Sequence, residues 1–112
     1  MLIRVYLKEE HYFTLHLLKN AENVTGQAPT LNIMRNSDNK FLNTDDSTWD
    51  DEPFDIDLTE TTNGIYQVKI DISVYYNQPE SYTGIYNVTI NDVVYTNSEQ
   101  LVYTRQNRAR LV

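Results

Sequence analysis

The sequence predicts an all-β fold on three observations. Tyr, Ile, Val and Thr dominate the middle and the end of the chain, and these residue types favour strands. Apolar and polar side chains alternate along several short segments, as they do in strands with one buried face. Turn-forming residues separate these segments, and no stretch has the pattern of a helix of ordinary length.

Length, composition and charge narrow the functional classes. The 112 residues suit one domain, and we expect a sandwich over residues 1–104 followed by a basic tail over residues 105–112. The absence of cysteine excludes disulfides, thiolate zinc sites and a cysteine nucleophile. A net charge of -7 argues against nucleic acid or an anionic membrane as partner. Without a signal peptide or an apolar run of ~20 residues, the chain is expected to be soluble and made in the cytoplasm.

The alternating segments are predicted to be short strands. They span residues 3–7, 12–18, 30–35, 40–43, 54–58, 65–72, 85–90, 93–96 and 100–104. The connecting turns or loops span residues 20–27, 36–39, 44–53, 62–64, 75–84 and 91–92. The inward-facing residues are expected to be Phe13, Leu15, Leu17, Leu31, Ile33, Phe54, Ile56, Leu58, Tyr66, Val68, Ile70, Ile72, Tyr86, Val88 and Ile90. This many short strands is typical of a sandwich or a barrel.

Two segments share the pattern Gly-Ile-Tyr-x-Val-x-Ile, one starting at Gly64 and the other at Gly84. We interpret each as a glycine that ends a turn, followed by a strand whose Tyr, Val and Ile fill a core. Asn91-Asp92, between two alternating runs, predicts a tight hairpin turn.

These segments resemble immunoglobulin-like domains in structural proteins of tailed bacteriophages. Residues 29–38 (Pro-Thr-Leu-Asn-Ile-Met-Arg-Asn-Ser-Asp) and the following Phe41-Leu42 are similar to the early strands of such domains, and residues 59–66 and 82–88 to the later ones. The resemblance covers residues 13–104. It implies an immunoglobulin-like β-sandwich of about seven to nine antiparallel strands in a virion component. That component would be a capsid decoration protein, a head-fibre base or a tail or baseplate adaptor, without catalytic residues.

Seven carboxylates crowd one predicted loop and the strand after it: Asp45, Asp46, Asp50, Asp51, Glu52, Asp55 and Asp57. Clustered carboxylates can hold calcium, which takes about six to eight oxygen ligands. The spacing is not that of an EF-hand, and no glycine supplies the sharp turn of such a loop. A solvated or partner-facing loop is therefore favoured over calcium binding and over carboxylate catalysis.

Aromatic residues are the first candidates for partner binding. Trp49 is expected either to close the end of the sandwich or to anchor a partner, because binding hot spots favour Trp, Tyr and Arg. Phe54 follows it at the start of the next predicted strand. Tyr75, Tyr76 and Tyr82 flank a loop, where they can contact a protein or stack on a sugar, and at least one is expected to cap the core.

The tail and one strand edge are further candidates. Arg105, Arg108 and Arg110 are basic residues beyond an acidic body, and one hypothesis is that the tail pairs with the acidic loop of a neighbouring subunit. The alternative is a frayed terminus. Residues 93–97 contain neither proline nor lysine to protect a strand edge, so that strand is expected to pair with another chain.

The expected function is therefore that of a non-catalytic phage virion protein, located in the virion and acting by protein–protein docking. Its partners would be capsid, portal, tail or fibre subunits and further copies of itself, with no cofactor. The alternative is a carbohydrate- or receptor-binding module of a fibre or adhesin, which would use the tyrosine-rich loop. A hydrolase with paired carboxylates is disfavoured, because no group is visible that would orient a base.

Overall fold

A computed structural model of the chain describes residues 4–7, 10–71 and 80–103, with side chains over 11–71 and 81–102. Within these ranges the regular structure is entirely β, which confirms the all-β prediction. No helix in the described part of the chain is long and apolar enough to cross a membrane. The strands are β1 (Arg4–Leu7), β2 (Glu10–His16), β3 (Leu18–Lys19), β4 (Glu22–Asn23), β5 (Thr30–Arg35), β6 (Lys40–Asn43), β7 (Thr48–Asp50), β8 (Ile56–Asp57), β9 (Thr59–Thr62), β10 (Ile65–Asp71), β11 (Glu80–Ile90) and β12 (Val93–Tyr103).

Two main sheets are formed. The larger has the strand order β1-β12-β11-β5-β6-β7, with β8 also pairing with β5, and the smaller has the order β2-β10-β9. Strands β3 and β4 make a separate short hairpin. Neighbouring strands are antiparallel except β1 and β12, which run parallel. The twelve described segments exceed the predicted seven to nine antiparallel strands, in part because β3, β4 and β8 are only two residues long.

The two sheets bury one face each in a common core, so the architecture is sandwich-like. Phe13 and Tyr66 enter it from the smaller sheet, and Leu31 and Ile33 enter it from the larger one, all without exposed surface. The complete core cluster is Phe13, Leu31, Ile33, Leu42, Ile56, Leu58, Tyr66, Ile70, Tyr82, Tyr86 and Leu101. Burying an apolar side chain of this size contributes roughly 1.5–3 kcal/mol relative to its exposure, which makes this cluster the main source of stability.

The predicted hairpin turns are confirmed. Strands β5 and β6 pair on either side of residues 36–39, with Met34 opposite Phe41. At the tip between β11 and β12, Asn91 and Asp92 have φ angles of 50° and 63°. Left-handed conformations at both central residues are those of the type I′ turn, whose twist suits a two-residue hairpin.

Several predicted boundaries are wrong. Residues 44–53 are not all loop, because β7 lies within them and places Trp49 opposite Leu42. The predicted strand at residues 54–58 is shorter, since only β8 lies within it and pairs with β5, while β9 begins after it at Thr59 and pairs with β10 in the other sheet. The predicted loop at residues 75–84 ends earlier, because β11 begins at Glu80.

Gly84 therefore does not end a turn as its counterpart Gly64 does. It lies within β11 opposite Glu99 of β12, and a Cβ atom there would come within 3.3 Å of Leu101 Cδ1. The shared Gly-Ile-Tyr pattern thus has two different causes. At Gly64 the backbone needs a positive φ of 76°, and at Gly84 the core side chain beside it needs the space.

Candidate protein-docking site

Trp49 and Tyr82 meet at the end of the sandwich where β11 begins. Their ring centroids are 5.7 Å apart and their planes are inclined by 22°. The guanidinium carbon of Arg35 lies 4.6 Å from the Trp49 ring, within the range of a cation–π contact. Arg35 also donates two hydrogen bonds to Asp38. This hydrogen bonding from the Arg35 side chain is the main cause that lowers the pKa of Asp38.

This stack limits what Tyr82 and Trp49 can offer a partner. Tyr82 is only 1% exposed, so its side chain belongs to the core, the role expected of at least one of the three tyrosines. Trp49 is half-buried and packs against the core cluster. Both residues close the end of the sandwich in the isolated chain.

Phe54 is also half-buried against the core. The side chain of buried Asn32 secures this segment, because its Nδ2 donates to the Phe54 carbonyl at 2.7 Å and to Asp55 Oδ1 at 2.8 Å. The other predicted contact residues, Tyr75, Tyr76, Arg105, Arg108 and Arg110, lie outside the described residues. Their roles stay predictions.

Asn43 is a shared hydrogen-bond partner of Asp45, Asp46 and Asp50 in the acidic segment 45–57. The backbone N–H groups of Asp45 and Asp46 both donate to Asn43 Oδ1, at 3.0 and 3.1 Å. Asp51 lies 3.9 Å from Lys40 Nζ. Among the residues whose structure is described, no group of three or more His, Asp or Glu side chains is arranged to hold a metal ion.

Amide and hydroxyl side chains bond to one another across the outer face of the larger sheet. Asn87 Nδ2 donates to Asn32 Oδ1 at 3.1 Å, and the Thr96 hydroxyl donates to Asn87 Oδ1 at 2.8 Å. A second such group joins Asn36, Ser81, Thr83 and Gln100. This face is polar and hydrogen-bonded within itself, and the segment 54–55 covers Asn32 on it.

The hairpin of β11 and β12 extends beyond the body of the sandwich. Strand β5 pairs with β11 only from Tyr82 to Asn87, so residues 88–90 pair with β12 alone. On the other side of β12, strand β1 pairs only with Gln100 to Tyr103. Within the described part of the chain, residues 93–97 therefore lie at the edge of the sheet, and we call them the open edge.

The open edge carries exposed apolar side chains in sequence. Val93, Val94 and Tyr95 are 49%, 64% and 55% exposed, and the other large hydrophobic residues with such exposure in the described chain are Tyr12 and Leu18. Val93 and Tyr95 share one face of the ribbon and Val94 lies on the other, because side chains alternate along a strand. The register between β11 and β12 is continuous, so no bulge interrupts this edge.

At the base of this hairpin, buried Tyr86 is hydrogen-bonded to Glu99, the first charged residue after the open edge in β12. The Tyr86 hydroxyl donates to Glu99 Oε1 at 2.7 Å. Burial raises the pKa of Tyr86, and the neighbouring Glu99 raises it further. Residues 93–98 before Glu99 carry no charged side chain, so the open edge is neutral as well as apolar.

The sequence indicated an unprotected edge at residues 93–97, but it did not indicate the length of the hairpin. The predicted gap at residues 97–99 is instead continuous strand, which makes β12 eleven residues long. The signal for this was weak because Asn97, Ser98 and Glu99 are poor strand formers. No family model, curated protein or solved structure matches this chain.

Proposed function

We propose that this protein is a non-catalytic structural module of a tailed-phage virion that docks on other proteins through its open edge. The observation that carries the proposal is the exposure of Val93, Val94 and Tyr95 on an edge strand. The resemblance of residues 29–38 and 82–88 to the strand pattern of virion domains, an expectation from the sequence alone, supplies the proposed biological setting.

An edge strand of this kind is suited to binding another chain. Alternate backbone N–H and C=O groups along it point away from the sheet and can pair with an added strand. The added strand would gain main-chain hydrogen bonds together with contacts to Val93, Val94 and Tyr95. Natural edges are commonly protected by lysine, proline or a bulge, and the open edge has none of these.

The strand order supports an immunoglobulin-like sandwich of the variable type. In that type one sheet has the order G-F-C-C′-C″ and the other contains B, E and D. Strands β12-β11-β5-β6-β7 would take the first set of positions, and β2-β10-β9 would take the second. The hairpin of β11 and β12 would then be the F–G hairpin, which contributes to the binding end of variable domains.

The mechanism is passive. A rigid sandwich presents the open edge to another virion protein, either a capsid, portal, tail or fibre subunit or a further copy of itself, and the protein acts as a decoration protein, a head-fibre base or a tail or baseplate adaptor. Binding requires no reaction and no cofactor in this proposal. Its strength comes from apolar side chains that lose contact with water when the edge is covered.

Incorporation into virions tests this proposal. Particles of the encoding phage are assembled with the wild-type chain, with Val94→Lys, or with Thr89→Lys as a matched control. Thr89 is exposed and lies opposite Val94 on the adjacent strand, so the control places the same charge on the same face but not on the edge strand. Occupancy is measured by quantitative immunoblot and by antibody labelling in electron micrographs.

We expect the wild type and Thr89→Lys to be incorporated, and Val94→Lys to fall by about tenfold, the change that corresponds to about 1.4 kcal/mol of binding free energy. Equal thermal stability of the two variants shows that the difference does not come from folding. Absence of the wild-type chain from virions, or full occupancy by Val94→Lys, would contradict the proposal.

A further inference from the structure

We propose that the open edge binds the open edge of a second copy of this chain, in antiparallel register about a two-fold axis. The inference rests on the proposed function, because it names the partner of the same edge. Two features of the edge favour a second copy as its occupant, namely the symmetry of its apolar residues and the position of the charges around it.

The first feature is self-complementarity. A two-fold axis perpendicular to an antiparallel pair of identical strands passes through a residue pair, so one residue lies opposite itself. If that residue is Val94, then Val93 of each copy lies opposite Tyr95 of the other. Paired residues share a face of the sheet, so two Val–Tyr contacts form on one face and a Val–Val contact forms on the other.

The second feature is charge. Each copy carries a net charge of -7, so two copies repel one another over most of their surfaces. The open edge lies in the uncharged segment 93–98, flanked by Asp92 and Glu99. In the register centred on Val94, Asp92 lies opposite Thr96, and Glu99 falls outside the paired segment.

Other symmetric registers are less favourable. A pair centred on Tyr95 would place Val93 opposite Asn97, and one centred on Thr96 would place Val93 opposite Glu99. Both replace apolar contacts with contacts between valine and a polar or charged side chain. Centring on Val94 is thus the register that joins all three exposed apolar residues of each copy.

The pairing also fits the extent of the neighbouring strands. Strand β1 pairs with β12 only from Gln100 onward, and the Val94-centred register uses β12 residues up to Asn97. The two larger sheets would continue into one another across the axis. The resulting interface is isologous, since the same segment of each copy contributes to it.

A single cysteine tests the register. The chain has no cysteine of its own, so Val94→Cys introduces the only thiol. Residues opposite one another in an antiparallel pair have Cα atoms about 4.5–5.5 Å apart, within the range of a disulfide. Two copies of residue 95 would be diagonal neighbours at about 7–8 Å, which a disulfide bridges poorly. Tyr95→Cys and Thr89→Cys are therefore matched controls.

Under mild oxidation, we expect Val94→Cys to form a disulfide-linked dimer at several times the rate of either control. Light scattering on the full chain should give twice the monomer mass for the wild type and for Thr89→Lys, and the monomer mass for Val94→Lys. A wild type that is monomeric at all concentrations would overturn the inference, as would equal cross-linking of all three cysteine variants.

The two proposals can fail separately. A monomeric wild type that still enters virions through its open edge would overturn the second copy as occupant and leave the docking function standing. A dimer that forms through Val94 and is never found in virions would overturn the virion function and leave the pairing standing.

Discussion

Glu60 connects three segments of the chain through one carboxylate. Its Oε1 accepts a hydrogen bond from the backbone N–H of Gly26 at 3.1 Å, and its Oε2 accepts one from Gly64 at 2.9 Å. These bonds, chiefly that from Gly64, lower the pKa of Glu60 below its ordinary value of 4.5. The charged side chain therefore ties β9 to the loop before β5 and to the turn before β10.

The lowered pKa makes Glu60 a source of acid sensitivity. A carboxylate whose pKa is lower in the folded state stabilises the fold fully above its unfolded pKa, near 4.5, and loses that contribution as the pH falls through the folded pKa. We expect Glu60→Gln to lower the free energy of unfolding at neutral pH and to flatten its decline below about pH 4.5. Urea denaturation across this range measures both effects.

Asp38→Asn is the control variant for the pH-dependent denaturation of Glu60→Gln. Its pKa is also lowered, by the hydrogen bond from Arg35, but this bond joins two residues only three apart in the chain. Its effect on stability should be smaller, as is usual for ion pairs near the surface. An acid sensitivity that is unchanged by Glu60→Gln would show that the carboxylate does not hold the two loops.

A comparison of Gly64 with Gly26 separates the cost of crowding from the cost of backbone strain. Both have a positive φ, of 76° and 71°, but a Cβ at Gly64 would lie 2.9 Å from Asn23 Cβ, whereas nothing lies within 4 Å at Gly26. We expect Gly64→Ala to cost about 2–4 kcal/mol and Gly26→Ala only about 1 kcal/mol. Thermal unfolding compares them, and equal losses would mean that crowding at Gly64 is relieved by small movements.

At the scale of elements, the segment between β7 and β9 is held by a side chain of β5. Asn32 is buried and bonds to the Phe54 carbonyl, Asp55 and Asn87. These bonds fix the segment beside β5 before the chain continues into the smaller sheet. The connection between the sheets thus depends on a polar residue on the outer face of β5 that is nevertheless buried.

Removing this side chain should loosen the connection. We expect Asn32→Ala to cost about 1–3 kcal/mol, because it removes three hydrogen bonds of a buried amide and leaves their part-buried partners unpaired. Asn87→Ala removes only the outer part of the same network and should cost less. Chemical denaturation measures both variants, and a loss from Asn87→Ala as large as that from Asn32→Ala would contradict the assigned role.

The strands and turns that could be predicted from the sequence were those with a clear local pattern. Alternation identified the inward positions Leu31 and Ile33, and Asn91-Asp92 identified the hairpin turn, since both signals lie within a few residues. The pairing of β1 with β12 could not be predicted, because it joins the two ends of the chain. Strand β7 was missed because its three residues include only one apolar side chain, Trp49.

At the scale of the whole molecule, the candidate site too could be predicted only as far as it depends on local pattern rather than on long-range strand pairing. The composition of residues 93–97 predicted an unprotected edge, but the exposure of that edge depends on where β5 and β1 stop pairing. Tyr82 is the opposite case, because a residue predicted beside a loop proves to be buried. Its neighbours resembled a loop in the sequence, and only the pairing of β11 with β5 and β12 places its ring in the core.

In the proposed docking, the charge distribution of the whole molecule would make the open edge the favoured surface for contact between copies. A chain with a net charge of -7 is kept apart from its copies except where a neutral, apolar segment is exposed. Association through the open edge should therefore strengthen with added salt, which screens the repulsion between the two bodies. Sedimentation at low and high ionic strength measures this, and an association that weakens with salt would point instead to pairing between opposite charges.

Residue-resolved amide hydrogen exchange tests the open edge as the docking element most directly. The chain is compared in its dilute and its associated states, with the turn at residues 36–39 as an internal reference. Docking by strand addition predicts slower exchange at alternate residues of 93–97 on association and unchanged exchange in the reference turn. Unchanged exchange along residues 93–97, with protection gained elsewhere, would contradict it.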